Sequence, residues 1–169
     1  MNIPAGMGAP LMGIAALTGH LVLSTLHTND APSAINRLLD LGVPSFLISS
    51  TIIGIIAQRL LRKICANCKQ ERKLSDTEIG YLQLERGSYS VYQGEGCTEC
   101  RGTGYKGRSG IFEVLDFTDN IKSVLSDNAD LNSIYDAAKN DGMINLRQVA
   151  IRKMLEGVTT YEEVIAVTG

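Results

Sequence analysis

The stretch "HLVLSTLHTNDAPSAINRLLDLGVP", residues 20–44, decides the fold class. Its first seven residues are mostly apolar and rich in β-formers, which predicts a strand buried on both faces. A turn and a helix follow. Asn29 or Asp30 can cap that helix, Pro32 suits its first turn, and Leu38, Leu39 and Leu41 lie along its apolar side. Gly42 and Pro44 stop it. A second helix is predicted from about Ser45 to Ala57, apolar nearly all round and therefore buried. "RLLRKI" (59–64) then leads out as a strand. Strand, helix, helix in this order points to an α/β layer with a partly parallel sheet.

Outward from this stretch the character changes. Residues 65–110 are polar, hold all four cysteines and contain eight glycines. "SGIFEVLDF" (109–117) reads as a strand, and helices are predicted at about 119–126, 131–140, 146–155 and 161–167. Asp130 and Thr160 are suited to cap two of them, and Gly142 and Gly157 to end two. Residues 1–14 are rich in Gly, Pro and Met, have no period, and are expected to be a disordered N-terminus. The longest apolar stretch, "FLISSTIIGIIA" (46–57), is twelve residues with three hydroxyl side chains. A bilayer needs about 20 residues, so this is a buried helix rather than a span. No secretory pattern opens the chain, and a cytosolic location with reduced thiols is expected.

Composition narrows the function classes. With 44% hydrophobic and 20% charged residues the chain is globular, and its net charge of −2 argues against general polyanion binding. One window departs from that balance: residues 59–73 hold six basic side chains against the single acid Glu71. Such a patch suits nucleic acid, an acidic partner or a neighbouring subunit. No aromatic residues interleave it as a nucleic-acid surface would require, so nucleic acid is not expected as a partner.

Cys65 and Cys68 form one C-x-x-C, Cys97 and Cys100 a second, with 28 residues between the pairs. Two such pairs supply four thiolates at the corners of a tetrahedron, the arrangement zinc prefers. Glycines 94, 96, 102 and 104 offer the positive-φ positions that such turns need. A four-thiolate centre carries a formal 2− charge, which Arg62, Lys63, Lys69 and Arg101 would soften. The metal would be structural, replacing a core that these polar residues cannot build. "CTECRGTG" (97–104) also fits the repeat of the zinc region of Hsp40-type chaperones, but "CANCKQER" (65–72) lacks the glycines.

The only histidines, His20 and His27, flank the predicted strand. In parallel α/β sheets ligands bind beyond the carboxyl ends of strands, where His27 falls, with Thr25, Thr28 and Asn29 as nearby donors. Neither histidine has an evident catalytic partner, so satisfaction of local backbone groups stands beside a functional reading. No G-x-x-x-x-G-K-[ST] occurs in the chain.

Three blocks then carry a resemblance. "ALTGHLVLSTLHTNDAPSAINRLLDLGVPSFLISSTIIGIIAQRLLRKICANC" (16–68), "GCTECRGTGYKGRSGIFEVL" (96–115) and "GMINLRQVAIRKMLEGVTTYEEVIAVTG" (142–169) resemble, in order, the histidine box, metal region and closing helices of the type II secretion and type IV pilus assembly ATPases. The resemblance implies a partial RecA-like core (strand plus helices) over 15–64, a tetracysteine zinc region over 65–110, and a helical C-terminal bundle over 111–169. It implies ATP hydrolysis with Mg2+ by a hexamer at the inner membrane, coupled to pilin or pseudopilin assembly, with platform components as partners. It maps the histidine box onto His20 and His27, one or both of them near the terminal phosphate, and places Arg59 close to the core and the structural Zn2+ on Cys65, Cys68, Cys97 and Cys100.

The family's phosphate loop, aspartate box and Mg2+-supporting acids lie upstream of its histidine box and have no counterpart here. Where the family's acidic box would stand, this chain has "MGAPLMGI" (7–14). The chain is therefore expected to be a C-terminal fragment that is inactive alone, because the main electrostatic contributions to phosphoryl transfer are missing. A stand-alone zinc-stabilised protein-interaction module is the alternative.

Overall fold

The computed structural model describes residues 9–126 and 130–169, without the side chains of 9–12 and 126. In chain order the elements are α1 (Ala9–Leu17), α2 (Ala31–Asp40), α3 (Ser45–Thr51), β1 (Gly54–Ile64), β2 (Lys69–Lys73), α4 (Asp76–Tyr81), β3 (Ser90–Gly94), β4 (Tyr105–Asp116), α5 (Asp119–Ser126), α6 (Leu131–Asn140), α7 (Leu146–Leu155) and α8 (Tyr161–Thr168). Short 3-10 turns cover Ala66–Cys68 and Thr98–Cys100. Strand β1 pairs with β4, and β2 with β3. No helix among the described residues is long and apolar enough to cross a membrane.

The chain divides into two compact units. One takes residues up to Ala57 together with Glu113–Ile144, the other Gln58–Phe112 with Asn145–Gly169. The units interleave along the chain, whereas the predicted segments 15–64, 65–110 and 111–169 are successive.

In the first unit α2 begins as its sequence predicts. Asp30 is extended and its carboxylate accepts from the Ser33 amide at 2.8 Å, with Pro32 in the first turn. Ala31 and Ile35 of α2, Ile48 of α3, Leu115 of β4, Ile121 of α5 and Ile134 of α6 are fully or almost fully buried in one aliphatic cluster. Helix α5 packs on α3 and α6, and α6 on α2.

Three sequence expectations change in this unit. The run 20–26 is not a strand buried on both faces: it carries only an isolated bridge at Leu23, and Leu21 and Leu23 are 72% and 70% exposed. Two-face burial requires layers packed above and below a strand, and the side chains of Leu21 and Leu23 are instead left largely to solvent. Helix α3 ends at Thr51 rather than Ala57, and β1 starts at Gly54. The β-branched residues Thr51, Ile52, Ile53, Ile55 and Ile56 lose rotamer freedom in a helix and fit a pleated strand, which wins over the apolar pattern. Residues 9–17 form a helix where none is predicted, and residues 1–8 of the predicted disordered terminus lie outside the described residues.

In the second unit β2 and β3 run antiparallel, with Lys69 opposite Gly94 and Lys73 opposite Ser90. A capping box of Ser75 and Glu78 starts α4, and one of Asn145 and Gln148 starts α7. The Thr160 hydroxyl accepts from the Glu163 amide at 3.2 Å to start α8. Helix α7 packs on α8 and on β3. The four C-terminal helices lie where the sequence puts them, α5 and α6 in the first unit and α7 and α8 in the second.

Candidate metal centre

The second unit brings the two cysteine pairs together. Strand β1 delivers Cys65, and the 3-10 turn after it turns Cys68 back toward the same point. The β2–β3 hairpin returns the chain, and the Glu95 amide donates to the Cys68 carbonyl at 3.1 Å. The second turn then places Cys97 and Cys100 opposite the first pair. All four sulfurs lie within 4.8 Å of one another. The Cys65–Cys97 and Cys68–Cys100 separations are 3.8 Å and the Cys97–Cys100 separation 3.7 Å. A tetrahedral ion bonded to thiolates at about 2.3 Å spaces its sulfurs about 3.8 Å apart. The four side chains are therefore grouped closely enough to hold a soft divalent ion, and all four are free thiols rather than disulfides.

Glycine makes the turns possible in two distinct ways. Gly96, Gly102 and Gly104 have φ of 94°, 76° and 76°, as the spacing predicts. Gly94 does not; its backbone passes so close to Gly104 that a Cβ on Gly94 would strike the Gly104 carbonyl. Arg101 takes the left-handed conformation at φ 54°, ending the second turn.

Cys65, Cys68 and Cys100 are buried and Cys97 is half-buried. Burial pushes the Cys68 thiol up to about 12. Burial also opposes ionisation of Cys100, but the Cys97 and Gly104 amides, donating to its sulfur at 3.1 and 3.3 Å, outweigh it and help hold the thiol down at about 6. Those amides are where sulfur-ligating knuckles need them, aimed at the ligand atom rather than at water.

The cations predicted to soften the centre are partly committed elsewhere. Arg62 donates from its backbone N and its Nε to Glu163, at 2.8 and 2.7 Å, and stacks 4.1 Å over the Tyr105 ring. The Lys69 ammonium donates to the Gly157 carbonyl at 2.7 Å and lies 4.1 Å from the Tyr92 ring centre. Lys106, which the spacing argument overlooks, pairs with Glu99 at 2.7 Å; Glu99 chiefly, then Cys65 and Cys97, hold its pKa above the ordinary value. Its signal in the sequence is position, six residues past Cys100 at the start of β4.

The centre is also tied to the end of the chain. The Ile64 amide donates to Val158 O and the Cys65 amide to Gly104 O, both at 2.9 Å. The Thr159 hydroxyl donates to Arg62 O at 2.9 Å, and the Tyr105 and Thr160 hydroxyls are 2.8 Å apart. Glu163, 4% exposed, is the buried carboxylate at this junction. The T-x-x-E pattern of Thr160 and Glu163 signals a helix start in the sequence, but not that the carboxylate leaves it for Arg62.

The histidine-box residues lie in the first unit. His20 and His27 are exposed, and Nδ1 of His20 is 3.0 Å from the Thr18 hydroxyl. Thr25 and Asn29 are exposed, and half-buried Thr28 donates to Asp30 O at 3.1 Å. Arg59 is half-buried on β1 and belongs to the second unit.

The family model described as "Type II/IV secretion system protein" matches residues 9–166. The chain is 49% identical over 159 residues to the type IV pilus assembly ATPase TfpB of Acinetobacter baylyi, covering 90% of this chain and 27% of that protein. It is 43% identical over 155 residues to the type II secretion system protein E of Pseudomonas aeruginosa, covering 91% of this chain and 31% of that protein. Among solved structures, that of the pilus retraction motor PilT with bound ADP superposes with a TM-score of 0.57 at 23% identity, over 93% of this chain and 35% of that one. That likeness shows a shared fold. The chain thus spans less than a third of the length of the two curated relatives.

Proposed function

The chain belongs to the type II/IV secretion system protein family, and on that footing we propose that it is the C-terminal part of a hexameric ATPase motor driving pilin or pseudopilin assembly. The observation that carries this reading is the match over residues 9–166, with a pilus assembly ATPase and a secretion protein E both above 40% identity. In this reading the segments are the C-terminal part of the ATPase core (15–64), the metal region (65–110) and the helical subdomain (111–169). One or both of His20 and His27 sit near the nucleotide's terminal phosphate, and Thr25, Thr28, Asn29 and Arg59 are candidates for binding the nucleotide. The motor works in the cytoplasm as a self-associated hexamer, held at the inner membrane by platform proteins.

Zinc is the ion proposed for Cys65, Cys68, Cys97 and Cys100. Four thiolates with no open position favour a soft d10 ion in a structural role. When bound, it supplies cross-linking of the two turns and no reaction chemistry.

The 169 residues alone are proposed to be inactive, because they contain no phosphate loop. The test is a pair of ATPase assays. The chain alone is expected to show no turnover. Fused behind the upstream part of the Acinetobacter baylyi relative, in place of its own C-terminal segment, it is expected to restore hydrolysis that falls at least about a hundredfold on His27→Ala. Turnover by the chain alone, lost on His27→Ala, would overturn the inactive-fragment reading. A folded, metal-loaded fusion without hydrolysis would overturn the motor reading in favour of a stand-alone zinc-stabilised interaction module.

A further inference from the structure

Strand β4 carries a carboxylate where its pattern calls for an aliphatic side chain. Ile111, Glu113 and Leu115 share the buried face of the strand, and Glu113 is 1% exposed. Burying a carboxylate costs several kcal/mol unless hydrogen bonds compensate it. Here the compensation is specific: Oε1 of Glu113 accepts from the Ala31 amide at 2.7 Å, 82 residues away in the chain. Ala31 is the first residue of α2, so the carboxylate sits on an otherwise unpaired amide at the positive end of the helix.

That helix start already has a cap in Asp30, bonded to the Ser33 amide at 2.8 Å. Glu113 is thus a second carboxylate on the same turn, reaching it from a different element. A third element adds to the set. The Tyr135 hydroxyl of α6 interacts with Asp30 and Ser33; burial first, and Asp30 second, push its pKa up to about 12. From the near side Thr28 donates to Asp30 O at 3.1 Å. Residues 28–33 are therefore clamped by their own side chains, by β4 and by α6. His27 immediately precedes this clamp and is itself exposed.

We propose that Glu113 is a positioning residue: through the Ala31 amide it fixes the turn from which the His27 imidazole projects. One cap would suffice to start α2. A second acceptor, arriving from a strand buried in the core, sets the direction of the turn as well as its existence. The functional weight of this inference rests on the reading of His27 as a nucleotide-facing residue.

The test uses the whole chain without nucleotide, so its failure and that of the motor reading are separate. With only two histidines, 13C-labelled imidazoles give two resolvable Cε1–H signals, and the Ala31 amide is read by hydrogen exchange. Glu113→Ala is expected to speed Ala31 exchange about tenfold, the loss of one charged hydrogen bond. It should also shift or broaden the His27 signal, with the His20 signal and bound metal unchanged. Glu113→Gln, which keeps the acceptor, should restore both readouts. If Glu113→Ala does not fold, Glu113→Asp, which withdraws the oxygen by one methylene, takes its place. Faster Ala31 exchange with an unmoved His27 signal would reduce Glu113 to a structural cap. A Glu113→Gln protein that behaves like Glu113→Ala would remove the hydrogen bond from the account.

Discussion

Arg62 and Glu163 meet at the base of the cysteine turns: the half-exposed guanidinium ion-pairs at 2.6 Å with a carboxylate that is 5% exposed. The same carboxylate accepts the Arg62 backbone amide, so it satisfies the strand as well as the side chain. Glu163→Ala is expected to lower unfolding free energy by about 1–3 kcal/mol, chiefly because it orphans the Arg62 backbone donor, the half-exposed guanidinium turning to water. Glu163→Gln should cost less. Equilibrium urea denaturation of the two variants checks the order; equal small losses would mean the pair is solvated.

Metal removal should be felt beyond the cysteines. Ile64 and Cys65 lead directly into the first ligand turn, and their amides bond to Val158 and Gly104. Stripping the metal with a chelator is expected to unprotect the amides of residues 157–160 in hydrogen exchange, with α5 and α6 keeping their protection. Protection at 157–160 that survives a verified metal-free state would show that these bonds stand without the ion.

The Glu78 carboxylate has a distinct acid dependence. Arg72 foremost, and then the Ser75 amide and hydroxyl, lower its pKa from an ordinary 4.5 to about 2, against the opposing effect of burial. A depressed folded pKa contributes stability that is present above the ordinary carboxylate range and is lost as pH falls through about 2. A 13C titration of the Glu78 carboxyl should show this midpoint, and Arg72→Ala should move it back up toward the ordinary value. A midpoint indifferent to Arg72 would refute the pairing seen at 2.8 Å.

Two glycine substitutions separate crowding from backbone conformation. Gly94→Ala puts a Cβ against the Gly104 carbonyl and should weaken metal binding at least about tenfold in chelator competition. Gly142→Ala, at φ +88° with nothing within 4 Å of its Cβ, should cost about 1–2 kcal/mol and leave metal affinity unchanged. Equal metal affinity in the two would remove the close approach as a cause.

Local chemistry was legible from the residues alone. Asp30, Asp130 and Thr160 cap the helices they precede, because capping needs only a side-chain oxygen two or three residues from an unpaired amide. The paired C-x-x-C turns likewise mark a cluster that could hold a metal ion, since the short loop places both sulfurs at once. Glu113 was also open to reading: a carboxylate in phase with Ile111 and Leu115 on a strand is a buried charge in need of a donor.

What the sequence determined by itself is therefore what closes within a few residues: the caps at Asp30, Asp130 and Thr160, the four C-terminal helices and the ligand turns, but not α1, α4 or the β2–β3 hairpin. Tertiary structure alone decided that 20–26 stays almost unpaired, and that Ala31 and Arg62 are the donors for Glu113 and Glu163. The reason is range. A strand exists only if another supplies its hydrogen bonds, and a buried carboxylate only if a donor arrives from elsewhere, here 82 and 101 residues away.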